Sequence, residues 1–576
     1  NYIGRSQYKS DDDFVGCITD VRIFSDALSE YDILEIMCDC LTDEAIVNLA
    51  KEKFLETPVK IAIGDYFLPD SLVGEKVQVK WTSDNTSAIT NNGKLLDITA
   101  PAAVTLTATL TKGSASVSKS YSLTALPKGT APYTLTVNGK DEVVDISKTL
   151  WGLFYEDINN AADGGIYAEM IQNRSFESFT FDTYDSHSGK DGASTGRNRR
   201  PLEFWFGDID KMIPKCEGGL NEFFGITKPD TNNYYVEVSD GAVIYNKGFC
   251  DKHFSCAMKM VQGEKYDFTV WAKGNGSIEL TIVDENDAPL SDTNTVAINH
   301  DVWTKYGKEE KIIFTASASA LGQLKMVFHG TICIDMVSLF PENVWGAREE
   351  EQSATAHTNY QNNPNYRLRP DLVKALVGLH PTFLRFPGGC ISEGSYIWEN
   401  VYDWKDSVGP VETRRENYNV WGYMMTMGLG YMEYFQLSED LGATPLPVMA
   451  CGVLCQARSD YANPAGGSLR EKYIKNFTDL IDFAISTDFE NNEWAKLRKE
   501  MGHEAPFDLH YLGVGNENWG PEFMANFEIF YERITKYVAE TYPGYDLTIL
   551  STVGAQADDD AYELGWKFLA GCNEGT

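Results

Sequence analysis

Residues 506–520, "PFDLHYLGVGNENWG", decide how the second half of the chain is read. A short apolar run ends in Gly515, Asn516 and Glu517, and the next residues, "PEFMANFEIFYERITKYVAETY", carry the period of an amphipathic helix. A buried strand, a polar tip and a helix form the repeating unit of a parallel α/β domain. The carboxyl of Glu517 and the amide of Asn516 then stand at the carboxyl end of a strand, where β/α barrels carry their reactive groups.

The same rhythm runs outward from this unit. Strand patterns "WGLFYED", "TFLRFPGG", "TPLPVMA", "FDLHYLGVGNE" and "LTILSTVG" alternate with helical patterns "RPDLVKALVGL", "GLGYMEYFQLSEDLG", "LREKYIKNFTDLIDFAIS" and "DAYELGWKFLA". About five of the eight units of a (β/α)8 TIM barrel are present, so the barrel over 133–175 and 343–576 is expected to be incomplete, truncated after about five units. Between its two parts, 176–342 shows short alternating strands with Gly and Asn turns, the pattern of an inserted β jelly roll. Residues 41–127 read as a small immunoglobulin-like β-sandwich, and "PKGTAP" at 127–132 as a linker. Residues 1–40 open in mid-pattern and resemble the C-terminal piece of a laminin-G or concanavalin-like sandwich, on the phrase "VRIFSDALSEYDI".

Composition narrows the function. With 49 Lys and Arg against 84 Asp and Glu, the net charge of −35 repels phosphate backbones and anionic lipid surfaces, so neither nucleic acid nor membrane is an expected partner. Neutral sugars are indifferent to that field, and 12 Trp and 30 Tyr supply flat apolar faces. No run approaches the roughly 20 apolar residues of a membrane span. Eight scattered His and 11 Cys, with Cys38/Cys40 and Cys451/Cys455 lacking a second pair, do not predict a metal site. The "GNGS" and "PGG" glycines lack dinucleotide-site order, and no cofactor is expected.

Polar or glycine-rich clusters recur at the strand ends: Glu156 and Asp157, "RFPGGC" at 385–390, and "GNENWG" at 515–520. Flanked by apolar strand residues and Trp519, Glu517 is expected to be desolvated, which would raise its pKa toward that of a general acid. Hydrolysis of a glycosidic bond needs such an acid and a second carboxylate. The bland alternative is that Asn516 and Glu517 only satisfy backbone amides at a helix start.

The phrases "LWGLFYEDINNAADGGIYAEMIQNRSFE", "LRFPGGCISEGSYIWENVYDWKDSVGPVETR", "GLGYMEYFQLSEDLGATPLPVM" and "GVGNENWG" resemble family 51 of the glycoside hydrolases, the α-L-arabinofuranosidases. That resemblance implies a retaining, metal-independent barrel enzyme that removes terminal α-L-arabinofuranosyl residues from arabinoxylan and arabinan. It further implies an extracellular or cell-surface bacterial setting and a homo-oligomer. Carried over, it makes Glu517 the acid/base, Asn516 a ligand of the sugar 2-hydroxyl, Glu156 a sugar-hydroxyl ligand and Trp421 a wall of the furanose pocket. Cys390 stands where better-described branches have Asn. The family's nucleophile, a Glu on the seventh strand, has no counterpart in these residues, so the fragment alone is expected to be inactive. An endo-acting β-glucanase or xylanase on the same barrel, and a non-catalytic carbohydrate-binding cell-surface protein, remain alternatives.

Overall fold

The computed structural model describes residues 36, 41–55, 60–72, 76–130, 147–181, 197–249, 256–348, 354–394, 398–458, 466–557 and 559–571. The expected laminin-G-like piece over 1–40 lies outside the described residues but for residue 36. The chain divides into two compact units, 1–145 and 146–576.

In the first unit, strands Val77–Ser83, Ala102–Lys112 and Ala115–Ala125 alternate buried and exposed residues as the sequence predicts. The last two form a hairpin closed at Gly113, whose φ of 55° suits a tight turn. The expected two-sheet sandwich is instead a single five-stranded sheet among the described residues. Its apolar face is covered by the helix Asp43–Leu49, through Ile46 and Val47, and by Ala88, Ile89 and Leu95 of a loop. Thr42 caps that helix by accepting from the Ala45 amide, and Asp43 and Glu44 complement its dipole. This N-terminal signal lay in "LTDEAIVNLA", where only strands were expected.

In the second unit, residues 205–341 build two six-stranded antiparallel sheets. Phe268 and Ile334 from one and Leu280, Met326 and Phe328 from the other share one fully buried core. The alternation read from the sequence therefore places every second residue inside.

A five-stranded parallel sheet consists of β1 (Leu153–Phe154), β2 (Phe383–Phe386), β3 (Thr444–Met449), β4 (Tyr511–Val514) and β5 (Thr548–Leu550), adjacent in chain order. Its crossovers carry α1 (Pro370–Val377), α2 (Tyr431–Leu441), α3 (Gly467–Ile485) and α4 (Gly520–Thr541), and α5 (Asp560–Gly571) follows β5. Single-step winding of this kind is that of a β/α barrel, whose closure takes eight strands. It brings all strand carboxyl ends to one rim. Helices Ala354–Asn362 and Glu493–Glu500 have no counterpart among the elements expected from sequence.

The polar stripe of α2 is buried. Residues on either side of the helix Ala354–Asn362 satisfy it: Trp345 Nε1 and Tyr366 Oη donate to Asp440 at 2.7 and 2.5 Å, and Asn363 donates to Gln436 at 2.8 Å. At the helix start, Glu433 accepts from the Gly430 amide and is gripped by both terminal nitrogens of Arg414 at 2.9 Å, with both side chains fully buried. Burial alone would raise the Glu433 carboxyl; Arg414 and the nearby amides outweigh it and hold the group below its usual value. Arg414→Met leaves that carboxylate buried without its cation and is expected to cost about 3–5 kcal/mol in urea unfolding; a loss under about 1 kcal/mol, the range of exposed pairs, would contradict the assignment.

Candidate active site

Glu517 follows β4 and has φ of 52°, a left-handed conformation uncommon for a side-chain-bearing residue. The turn holding it is built from its neighbours. Gly515 adopts φ of 88°, and a Cβ there would lie 2.3 Å from Asn518 Oδ1, which accepts from the Asn516 amide at 3.0 Å. Gln456, beyond β3, accepts from the Trp519 amide at 2.9 Å and donates to its carbonyl at 2.9 Å. The carboxyl of Glu517 is exposed. The expected desolvation by strand residues and Trp519 is thus not met: the backbone turns the side chain out of the apolar strand environment, onto the open rim.

Asn516 points the other way and is buried. Its Oδ1 accepts from Arg385 Nη2 at 2.6 Å, while its Nδ2 is buried with no hydrogen-bond partner. Arg385 lies on β2, two strands from β4, and adjacent strands are about 4.8 Å apart, so a long side chain is needed to bridge them. Burial lowers the Arg385 guanidinium from its usual value, opposed by Glu156, Glu517 and Glu393.

Glu156, after β1, is half-buried, and its Oε1 accepts from the Gly389 and Ile391 amides at 3.0 and 3.3 Å. The glycines of "FPGG" make room for this contact: a Cβ at Gly388 would lie 2.8 Å from Glu156 Cγ. A Cβ at Gly389 would lie 3.2 Å from Asn516 Oδ1 and 3.5 Å from both Asn516 Nδ2 and Glu156 Oε1, so one small space is bordered by both side chains. Cys390 Sγ is 4.0 Å from Glu517 Oε2. Hydrogen bonds from Cys455 and Arg458 lower the Cys390 thiol against the opposing effect of burial, while the same contact raises Cys455.

Trp421 joins the group from a loop after β2. Its ring carries the Arg458 guanidinium at 4.4 Å, and its amide donates to Asn419 Oδ1 at 2.7 Å. Asn419 and Tyr423 in turn donate to the Asp157 carbonyl at 3.1 and 2.8 Å, which fastens the loop to the end of β1. All five residues singled out from the sequence, Glu156, Cys390, Trp421, Asn516 and Glu517, are therefore linked at one rim.

Sequence inspection missed Arg385, Gln456 and Glu393. Glu393 is 1% exposed, accepts from the Asn516 amide at 3.3 Å through Oε1, and leaves Oε2 without a partner. Burial pushes its carboxyl well above the usual range. No group of three or more His, Cys, Asp or Glu among the described residues is arranged to hold a metal ion. No helix among the described residues is long and apolar enough to cross a membrane.

Residues 375–568 match the α-L-arabinofuranosidase 1 domain, and residues 65–128 match the atrophied bacterial Ig domain. The chain is 36% identical over 457 residues to an extracellular exo-α-L-arabinofuranosidase of Streptomyces chartreusis, covering 77% of this chain and 48% of that protein. It is 29% identical over 423 residues to α-L-arabinofuranosidase 1 of Arabidopsis thaliana, covering 70% of this chain and 54% of that protein. Among solved structures, an arabinose-bound family 51 α-L-arabinofuranosidase aligns with a TM-score of 0.53 at 24% identity, over 71% of this chain and 60% of that one. The chain is thus homologous to α-L-arabinofuranosidases, shares its fold with a family 51 member, and has a multidomain fold containing a TIM-type barrel and an Ig-like domain. It spans about half the length of the curated relatives it matches.

Asp157 ties this site to pH. Burial first, and Asp163 second, push its carboxyl from 3.8 up to about 7. A raised folded-state value means that the stability held in the neutral form is complete below about pH 4 and is lost as pH rises through about 7. Asp157→Asn keeps an acceptor for Tyr423 and the Ala162 amide and removes the titration. The fall in melting temperature between pH 4 and 7 is expected to be shallower in this variant; an unchanged slope would contradict it.

Proposed function

We propose that this chain contributes the acid/base side of a retaining glycoside hydrolase that removes terminal non-reducing α-L-arabinofuranosyl residues from arabinoxylan- and arabinan-type polysaccharides. The observation that carries this is the pairing at the tip of β4: an exposed carboxyl, Glu517, beside a buried amide whose Nδ2 has no protein partner. A sugar hydroxyl supplies the acceptor that this donor lacks. In the proposed mechanism Glu517 gives its proton to the leaving oxygen as the glycosidic bond breaks, then takes a proton from the water that resolves the glycosyl-enzyme. Asn516, oriented by Arg385, and Glu156, fixed by the 389 and 391 amides, hold ring hydroxyls. Trp421 walls the pocket, and Cys390 packs at its edge.

The second carboxyl of a retaining pair stands about 5–5.5 Å from the first. We assign it to barrel units outside residues 1–576, in line with the length of the relatives. The two-sheet insert over 176–342 is proposed to be a jelly roll of carbohydrate-binding type, residues 41–127 an Ig-like spacer, and residues 1–40 the end of a laminin-G-like module. Barrel segments 133–175 and 343–576 complete this division. An extracellular or cell-surface bacterial setting, plant polysaccharide as partner and a homo-oligomeric assembly belong to the same proposal; the extracellular relative supports the first.

The test uses the longer protein with all eight barrel units and aryl α-L-arabinofuranosides. Glu517→Ala is expected to lower kcat by about 10²–10⁴-fold for poor leaving groups and much less for activated ones. Undiminished turnover, or inversion of configuration in the wild-type product, would overturn the mechanism.

A further inference from the structure

Away from the catalytic rim, a cleft of about 430 Å³ lies where the two-sheet insert meets the barrel. The insert contributes strand residues Asp267, Thr269, Ser338 and Phe340, and the barrel contributes the 363–367, 409–412 and 497–501 segments. Its walls are continuous. Tyr167 packs edge-on against Phe340 with ring centroids 5.5 Å apart, and the Arg367 guanidinium lies 5.0 Å from the Phe340 ring centre. Pro364, Pro410, Val411, Leu497 and Met501 make its apolar side.

Two lining groups are left incomplete by the protein. Asp267 is 6% exposed and its Oδ1 is buried without a partner, while Oδ2 holds Lys311 at 2.8 Å and Arg367 at 3.4 Å. Arg174 is 2% exposed and its Nε is buried without a partner, while Nη1 holds Glu169 at 3.0 Å. One is an acceptor and the other a donor, and leaving such buried atoms unsatisfied is costly. Of the lining cations, Lys305 holds Glu412 at 2.7 Å, Lys311 and Arg367 hold Asp267, and Lys308 is exposed, 3.9 Å from Glu309. The cleft therefore offers no spare buried cation for an anion. A group that donates and accepts at once, carried on a skeleton with an apolar face, is a hydroxylated ring. The volume lies in the range of small-ligand sites.

We infer that this cleft is a second saccharide site, separate from the catalytic rim, that takes an uncharged sugar unit with one hydroxyl near Asp267 and Arg174 and its C–H face on the Val411–Met501 side. Such a site would hold a polysaccharide branch while another is cut. Its failure leaves the assignment of Glu517 untouched.

Calorimetric titration of the 576-residue chain with xylotriose, and with a glucuronic-acid-substituted xylotriose, tests it. Binding of the neutral sugar is expected to weaken tenfold or more in Thr269→Trp and in Val411→Trp, which fill the cleft from opposite walls, and to persist in Asn516→Ala. In crystals of the wild-type chain soaked in xylotriose, a sugar ring is expected in the cleft. Water alone there, loss of binding in Asn516→Ala but not in the cleft variants, or binding of the acidic sugar only, would each overturn the inference.

Discussion

A single hydrogen bond of 2.6 Å, from Arg385 on β2 to the side-chain oxygen of Asn516 beyond β4, sets the geometry on which the rim depends. It occupies the oxygen of the amide and so distinguishes its two ends. Both the oxygen and the unpaired nitrogen border the space that Glu156 also borders. Burial lowers the half-buried guanidinium of Arg385, and Glu156, Glu517 and Glu393 act together against that effect. The site is thus an electrostatic unit as well as a geometric one, and the backbone amides at 389 and 391 complete it.

Barrel topology makes this unit possible. Five parallel strands in chain order carry their polar tips to one end, so residues as far apart as 156, 385 and 517 meet at one rim. Behind the rim, rigidity comes from buried polar structure. The Arg414–Glu433 pair at the start of α2 and the Asp440 contacts with Trp345 and Tyr366 lock the helix that backs β2 and β3. Gln456 and buried Glu393 support the turn at Glu517, leaving its carboxyl as the exposed member.

Much of this was legible in the sequence because it is local. Five apolar runs, three of them ending in "YED", "FPGG" and "GNE", predict five strands and three polar tips, and the structure finds a strand in each run. What was not legible depends on pairing across the fold. Arg385 is one charged residue in an apolar strand until β4 is placed two strands away. The burial of Glu433, Gln436 and Asp440 on α2 follows from partners distant in sequence, Arg414, Asn363 and Trp345. Glu517 reads as desolvated because its neighbours in sequence are apolar, but a left-handed backbone turns it outward. In the first unit, period-two alternation fixed the strands and their buried faces, yet it carries no information on whether a second sheet or a helix covers them.

The most direct measurement is a crystal structure of this chain with an arabinofuranose-configured ligand bound at the rim. The account predicts a sugar hydroxyl within hydrogen-bond distance of Asn516 Nδ2, with Glu156 on a second hydroxyl and the Arg385–Asn516 contact unchanged. A ligand bound elsewhere on the barrel, with Asn516 Nδ2 still unpaired, would contradict it.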